Sequence, residues 1–207
     1  MAEFDVRLTL DGIPVLFHDE SFNGPEELLY LVSRITLKQL RTHRAVNTLE
    51  EVLLSDQVPE FLNIEIKSKL VLSDPLERKV SELIEKIERK KSRLIRNRLM
   101  FSSFNPVSIY KLAQFLPDIP RGFLATRDVD AIYLREMWMS LVRNFHVLHL
   151  DQDMITEDLM RVWNKNQVKV AAWTVNDPER MKDFMKWGVV SVISDDIPPD
   201  EVLNFQR

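Results

Sequence analysis

Cysteine is absent from the 207-residue chain, which excludes disulfide bridges, thiolate metal sites and cysteine nucleophiles. No apolar run approaches the roughly 20 residues that a membrane-spanning helix needs, so we expect no transmembrane segment. No basic stretch followed by an apolar one opens the chain, so no secretory signal is predicted and the default location is cytoplasmic. Positive charge is not in excess, since the net charge is -4, and we therefore expect no nucleic-acid partner.

The chain instead has the composition of an ordinary globular protein, and its length predicts a single domain over residues 1–207. Short apolar runs alternate with longer helical patterns. The predicted strands are residues 3–8, 14–17, 62–66, 98–102, 121–124, 146–150, 168–174 and 189–193. The predicted helices are residues 48–54, 75–92, 106–115, 129–142, 156–166 and 178–187.

This alternation predicts an α/β fold, with parallel strands joined by crossover helices. Both an open doubly wound sheet and a closed barrel fit the pattern. No Gly-x-Gly-x-x-Gly turn follows any predicted strand, which disfavours a dinucleotide fold and favours the barrel. The helix over residues 75–92 has one apolar stripe, and its other face, which begins with Glu77, is charged and predicted to face solvent.

Acidic side chains stand within two of the predicted strands. Glu3 and Asp5 share one face of the first strand, because side chains two residues apart point the same way. Glu65 lies in the third predicted strand, and Lys67 shares its face. Three converging carboxylates would form an all-oxygen site for a hard divalent cation, and the lysine would suit a phosphate oxygen. The alternatives are a solvent-facing strand edge and a structural Glu–Lys ion pair.

Two further residues are candidates for chemistry at strand ends. His18 directly follows the second predicted strand, where it could act as a general acid or base rather than as a hydrogen-bonded surface group. Trp173, at the end of a later strand, could form an apolar wall over a ligand, although most tryptophans are core residues. His149 lies inside a predicted strand and is interpreted as a hydrogen-bonded surface or core group.

Six motifs in order resemble the glycerophosphodiester phosphodiesterase family. They are EFDVRLTLDGIPVLFHDE (3–20), NTLEEVL (47–53), NIEIKSK (63–69), MFSSFNP (100–106), AAWTVND (171–177) and WGVVSVISDDIP (187–198). The first resembles the family signature E-x-D-V-x-x-T-x-D-x-x-x-V-x-x-H-D, and the others resemble its T-L-E-E-V-L, I-E-I-K, S-S-F-x-P, W-T-V-N-D and closing motifs. Together they cover nearly the whole chain.

The resemblance implies a TIM (β/α)8-type barrel that hydrolyses glycerophosphodiesters to glycerol 3-phosphate and an alcohol in glycerophospholipid metabolism, with calcium or magnesium as cofactor. By the matching positions, Glu3, Asp5 and Glu65 are its metal ligands and His18 is a catalytic histidine. Lys67 is implied to contact the substrate phosphate, and Trp173 to line the substrate pocket.

The chain departs from the family pattern at its beginning. Family members start with a strand ending in His-Arg-Gly, which supplies a second catalytic histidine and a phosphate-binding arginine, and this motif does not occur in the chain. The resemblance therefore predicts a barrel without its first βα unit, with a short insertion at about residues 20–47 and an open edge along residues 3–8. Such an edge favours self-association. It also leaves an alternative function open, a barrel that binds metal and phosphodiester without turnover.

Overall fold

In the computed structural model the chain divides into two units, Met1–Arg121 and Gly122–Arg207. The structure describes residues 1–57, 59–68, 75–90, 93–126 and 144–197. The helix predicted over residues 129–142 lies outside these ranges. The remaining predicted elements are present, and their observed bounds differ from the predicted ones by a few residues at most.

A mixed sheet organises the first unit. Its strands are β1 (Ala2–Leu8), β2 (Pro14–Leu16), β5 (Leu62–Ile66) and β6 (Leu99–Ser103), in the order β6-β5-β1-β2. The contacts between β1 and β5 and between β5 and β6 are parallel, whereas β1 and β2 are antiparallel. The carboxyl ends of β1, β5 and β6 therefore lie at the same edge of this sheet.

The hairpin between β1 and β2 covers part of the expected open edge along residues 3–8. A turn folds β2 back onto β1, so that Val6 faces Leu16 and Leu8 faces Pro14. Gly12 adopts φ +74° in this turn, a left-handed conformation that glycine reaches without a Cβ clash. Strand β2 pairs with Val6, Arg7 and Leu8, whereas β5 pairs with Ala2 to Val6, so that among the described strands only Val6 has a partner on both sides. Val6 is fully buried in the core. Self-association through this edge stays a prediction.

The segment predicted as a short insertion contains regular elements. Strands β3 (Ser21–Asn23) and β4 (Leu29–Leu31) form a separate antiparallel ribbon, with 3-10 turns at Pro25–Glu27 and Val32–Arg34. Helix α1 (Leu37–His43) follows, and its Thr36–Gln39 capping box satisfies backbone donors at its start. A small core made of Val15, Phe22, Val32, Ile35 and Leu40 holds this segment together.

Three helices cover the sheet of the first unit: α2 (Leu49–Leu54), α3 (Pro75–Lys90) and α4 (Pro106–Phe115), and a 3-10 turn spans Arg93–Arg98. A capping box opens α2, with Thr48 and Glu51 bonded reciprocally. The apolar stripe of α3 is buried as predicted, against the strands. Glu77 contradicts the prediction of a wholly solvated opposite face, because it is 2% exposed and accepts a hydrogen bond from Ser108 of α4.

The second unit continues the strand–helix alternation. Strands β7 (Arg121–Ala125), β8 (Val147–Asp151), β9 (Val170–Trp173) and β10 (Ser191–Val192) follow one another in that order, all parallel. A 3-10 turn spans Gln152–Met154, and the helices are α5 (Glu157–Lys165) and α6 (Pro178–Lys186). Gly188 ends α6 with φ +90°, the left-handed conformation expected at a helix terminus.

Among the described residues, no helix is both long and apolar enough to cross a membrane.

Candidate functional site

Three carboxylates converge on the face of the first sheet that is opposite its helix-covered side. The parallel register places Glu3 beside Asn63 and Asp5 beside Glu65. Because residues paired in this way point to the same face, the alternation within β1 and β5 brings the acids together. One oxygen from each of Glu3, Asp5 and Glu65 lies within 4.8 Å of the others. The sequence-based grouping of these three residues is therefore reproduced by the geometry.

Lys67 lies against two of these acids. Its Nζ is 3.1 Å from Asp5 Oδ1 and 3.0 Å from Glu65 Oε1. Burial alone would lower the pKa of Lys67, but the charges of Glu65 and Asp5 raise it above its usual value, so the ammonium is firmly protonated. Burial raises the pKa of Glu65, against the opposing pull of Lys67. The lysine thus supplies the positive charge that lets two carboxylates share this face.

His18 is next to the acids through the hairpin. The backbone N–H of Phe17 donates to the carbonyl of Asp5 at 3.0 Å, which fixes the residue before His18 to the strand that carries the acids. His18 lines a recess of about 270 Å³ together with Glu3 and Asp5. Its Nδ1 is 2.8 Å from Asp19 Oδ1. An ionised carboxylate only accepts hydrogen bonds, so Nδ1 carries the proton and Nε2 is left to accept or donate one.

Two cavities open where β1 and β5 end. The larger, of about 380 Å³, is lined by Lys67, Ser68 and Arg7 and by apolar side chains that include Leu8 and Leu76. The smaller, of about 220 Å³, is lined by Glu65 and by residues after β6 that include Phe104. Arg7 and Lys67 border both. These spaces are of the size of a small polar metabolite and adjoin the acid cluster.

Trp173 is the last residue of β9 in the second unit and is partly buried. That Trp173 lines the same pocket as Lys67 stays a prediction. His149 in β8 is 2% exposed, and burial lowers its pKa to about 4, so it is a neutral core residue. The expected hydrogen bond is absent, because neither ring nitrogen has a partner among the described residues.

Sequence reasoning missed a polar network behind the site. Ser108 donates to Glu77, and its hydroxyl also contacts the hydroxyl of Ser68, the residue after Lys67. Asn105 donates to Ser68 at 3.1 Å. Ser103 donates to the carbonyl of Ile66 at 2.7 Å. These bonds fix the end of β5. In the sequence, the pair of serines in the S-S-F-x-P motif was the signal for this polar network.

The comparisons with known proteins agree on one family. Residues 1–198 match the model of the glycerophosphoryl diester phosphodiesterase family. A glycerophosphodiester phosphodiesterase of Caldanaerobacter subterraneus is 30% identical, over 99% of this chain and 85% of the relative. One from Bacillus altitudinis is 27% identical, over 93% of this chain and 81% of the relative.

Solved structures agree on the fold. A phosphodiesterase of Oleispira antarctica, in complex with the product sn-glycerol-3-phosphate, superimposes with a TM-score of 0.80 at 23% identity, covering 99% of this chain and 83% of its own. A glycerophosphodiester phosphodiesterase of Parabacteroides distasonis gives 0.75 at 20% identity, covering 99% and 82%. The fold is α/β, of the TIM (β/α)8-barrel type. With a family match over almost its entire length, the chain belongs to the glycerophosphoryl diester phosphodiesterase family, whose members are phosphoric diester hydrolases.

Proposed function

We propose that this chain hydrolyses glycerophosphodiesters to sn-glycerol 3-phosphate and an alcohol, in a reaction that depends on Ca²⁺ or Mg²⁺. The observation that carries the proposal is the convergence of Glu3, Asp5 and Glu65 beside Lys67, which directly follows the carboxyl end of the parallel strand β5. In TIM-type barrels this is the end at which active sites lie. A relative of the same fold holds the product sn-glycerol-3-phosphate, which supports this substrate class.

The three acids fit a hard divalent cation. Calcium takes oxygen ligands at about 2.3–2.6 Å, so two oxygens on opposite sides of the ion are about 5 Å apart. The carboxylate oxygens here lie within 4.8 Å of one another, inside that limit. Magnesium has shorter bonds of about 2.0–2.1 Å, so its oxygen ligands lie within about 4.2 Å of one another. When bound, such an ion polarises a phosphoryl oxygen and neutralises charge that develops on it.

Lys67 and His18 supply the remaining chemistry of the proposal. The ammonium of Lys67 binds a phosphoryl oxygen and offsets its negative charge. The ring of His18 is held by Asp19 through Nδ1, so that Nε2 is available. His18 acts there as a general acid or base, which gives a proton to an oxygen on phosphorus or takes one from it. The glycerol hydroxyl attacks phosphorus and expels the alcohol, and water then opens the cyclic phosphate. Trp173 forms an apolar wall of the substrate pocket in this proposal.

The test combines a metal titration with a turnover assay. Chelator-treated protein is titrated with Ca²⁺ and with Mg²⁺ by calorimetry, and glycerophosphocholine hydrolysis is then followed with each ion. Glu65→Gln should weaken metal binding by at least about tenfold, because it removes one charged ligand. Glu85→Gln, on the exposed face of α3, is the matched control and should leave it unchanged.

The outcomes separate the alternatives. Metal-dependent hydrolysis that Glu65→Gln abolishes supports the proposal. Binding of metal without turnover of any glycerophosphodiester would favour the barrel that binds without catalysis. A chain that binds neither ion would contradict the metal site itself.

A further inference from the structure

Arg7 places a guanidinium beside the carboxylate cluster, and the proposed function gives this group no role. It stands two residues after Asp5 in β1, and so points to the same face as Glu3 and Asp5. The register that pairs Asp5 with Glu65 and Val6 with Ile66 continues through the hydrogen bond from Lys67 N–H to the Val6 carbonyl, at 3.0 Å. Arg7 and Lys67 therefore form the next rung beyond the carboxylates.

The hydrogen bonding of Arg7 leaves most of its donors unused. Its Nε donates to the backbone carbonyl of His18 at 3.0 Å. A guanidinium has five N–H donors, and within the described ranges the other four make no hydrogen bond and no ion pair with the protein. Asp5, Glu65 and Glu20 act on it only through their charge at a distance. One nitrogen is thus anchored while the planar fork remains available.

Arg7 borders both cavities that Lys67 borders, at the point where β1 and β5 end. A guanidinium fork matches two phosphate oxygens, whereas an ammonium offers a single point charge. The two side chains are adjacent and both positive, so a phosphodiester between them would meet complementary chemistry from each.

We propose that Arg7 and Lys67 form a two-cation clamp on the substrate phosphate, in which the anchored guanidinium of Arg7 binds phosphoryl oxygens. This inference rests on the proposed function and adds a substrate-binding residue to it. The Nε bond to the His18 carbonyl also ties the clamp to the residue proposed to move the proton.

The experiment compares Arg7→Gln and Arg7→Lys with the unmodified chain. The affinity for sn-glycerol 3-phosphate is measured by calorimetry with Ca²⁺ present, and kcat and KM are measured with glycerophosphocholine. Arg7→Gln should weaken sn-glycerol 3-phosphate binding by about 10- to 100-fold, the scale of lost charge-assisted hydrogen bonds. Arg7→Lys should recover part of this affinity, because it restores the charge without the fork. Arg89→Gln, an exposed arginine on α3, removes the same charge and should change neither quantity.

The readouts separate the clamp from a purely structural role. If Arg7 only positions His18, Arg7→Gln will lower kcat and leave the affinity for sn-glycerol 3-phosphate unchanged, which overturns the clamp. If the unmodified chain binds sn-glycerol 3-phosphate without hydrolysing glycerophosphocholine, and Arg7→Gln weakens that binding, the clamp stands and the proposed function falls. If the unmodified chain hydrolyses glycerophosphocholine and Arg7→Gln binds sn-glycerol 3-phosphate as tightly as the unmodified chain does, the clamp is refuted and the proposed function stands. A chain that neither binds nor hydrolyses refutes both.

Discussion

Replacing Lys67 by methionine is expected to tighten metal binding while it weakens catalysis. The ammonium of Lys67 lies 3.0–3.1 Å from oxygens of two of the three proposed ligands. A divalent cation entering the cluster must compete with this ammonium for Asp5 and Glu65. Methionine keeps much of the side-chain volume and removes the charge, so the competitor is lost.

The size of the effect follows from the two short contacts. At about 3 Å and an effective dielectric constant of about 20, Coulomb's law gives about 5 kcal/mol for each pair. Desolvation offsets most of that attraction, and hydrogen bonds to charged groups contribute about 1.5–3 kcal/mol net. Removing a competitor of this strength should lower the Kd for Ca²⁺ by about 10- to 100-fold.

The assay is a calorimetric Ca²⁺ titration of chelator-treated protein at neutral pH, with a thermal melt of each variant in parallel. Without metal, Lys67→Met should melt at a lower temperature than the unmodified chain, because two partly buried carboxylates lose their counter-charge. Added Ca²⁺ should reverse this loss. Lys79→Met, which removes an exposed lysine paired with Glu82, is the control for net charge. An unchanged or weaker Ca²⁺ affinity in Lys67→Met would refute the competition between ammonium and metal.

Three further outcomes are expected. His18→Gln should lower kcat for glycerophosphocholine by about 10²- to 10⁴-fold and leave the Ca²⁺ affinity unchanged, and a loss below tenfold would count against an acid–base role. The pKa of His149 is about 4 when folded and near 6.5 when unfolded, so the unfolded chain binds its proton first. Stability should therefore fall by up to about 3 kcal/mol between pH 6.5 and pH 4. Denaturant titrations across this window should show a flatter dependence in His149→Leu, whereas His146→Gln, at an exposed position, should retain it. Thr48→Ala removes the cap that accepts from Glu51 N–H and should lower the free energy of unfolding by about 1 kcal/mol in urea, with no effect on kcat.

The fold was readable from the sequence wherever one periodicity dominated. Strand β5 and helix α4 have the predicted bounds, because alternation in the one and an Asn-Pro start in the other leave little choice. The ribbon of β3 and β4 was missed, since three-residue strands have no measurable period. Helix α1 was missed although Thr36 and Gln39 form a capping box like the one that opens α2.

The candidate site was readable to the extent that it depends on strand alternation. That rule grouped Glu3, Asp5, Glu65 and Lys67 correctly, because it fixes which face a side chain points to. It could not show that Lys67 bends back onto the acids, since that is a rotamer choice made by the surrounding charges. The inward turn of Glu77 had the same origin, because a partner hydroxyl on α4, distant in sequence, decides it.

The pairing of β1 with β5 has a consequence for how the chain holds together. Asp5 and Glu65 are neighbours across two strands whose residues lie about sixty positions apart in the chain. An ion that bridges them would act as a removable cross-link that closes this long loop. By linkage it would stabilise the folded chain by about 2.7 kcal/mol at a free ion concentration one hundred times its Kd. The free concentration of the cation would then set the stability of the folded chain as well as its catalytic activity.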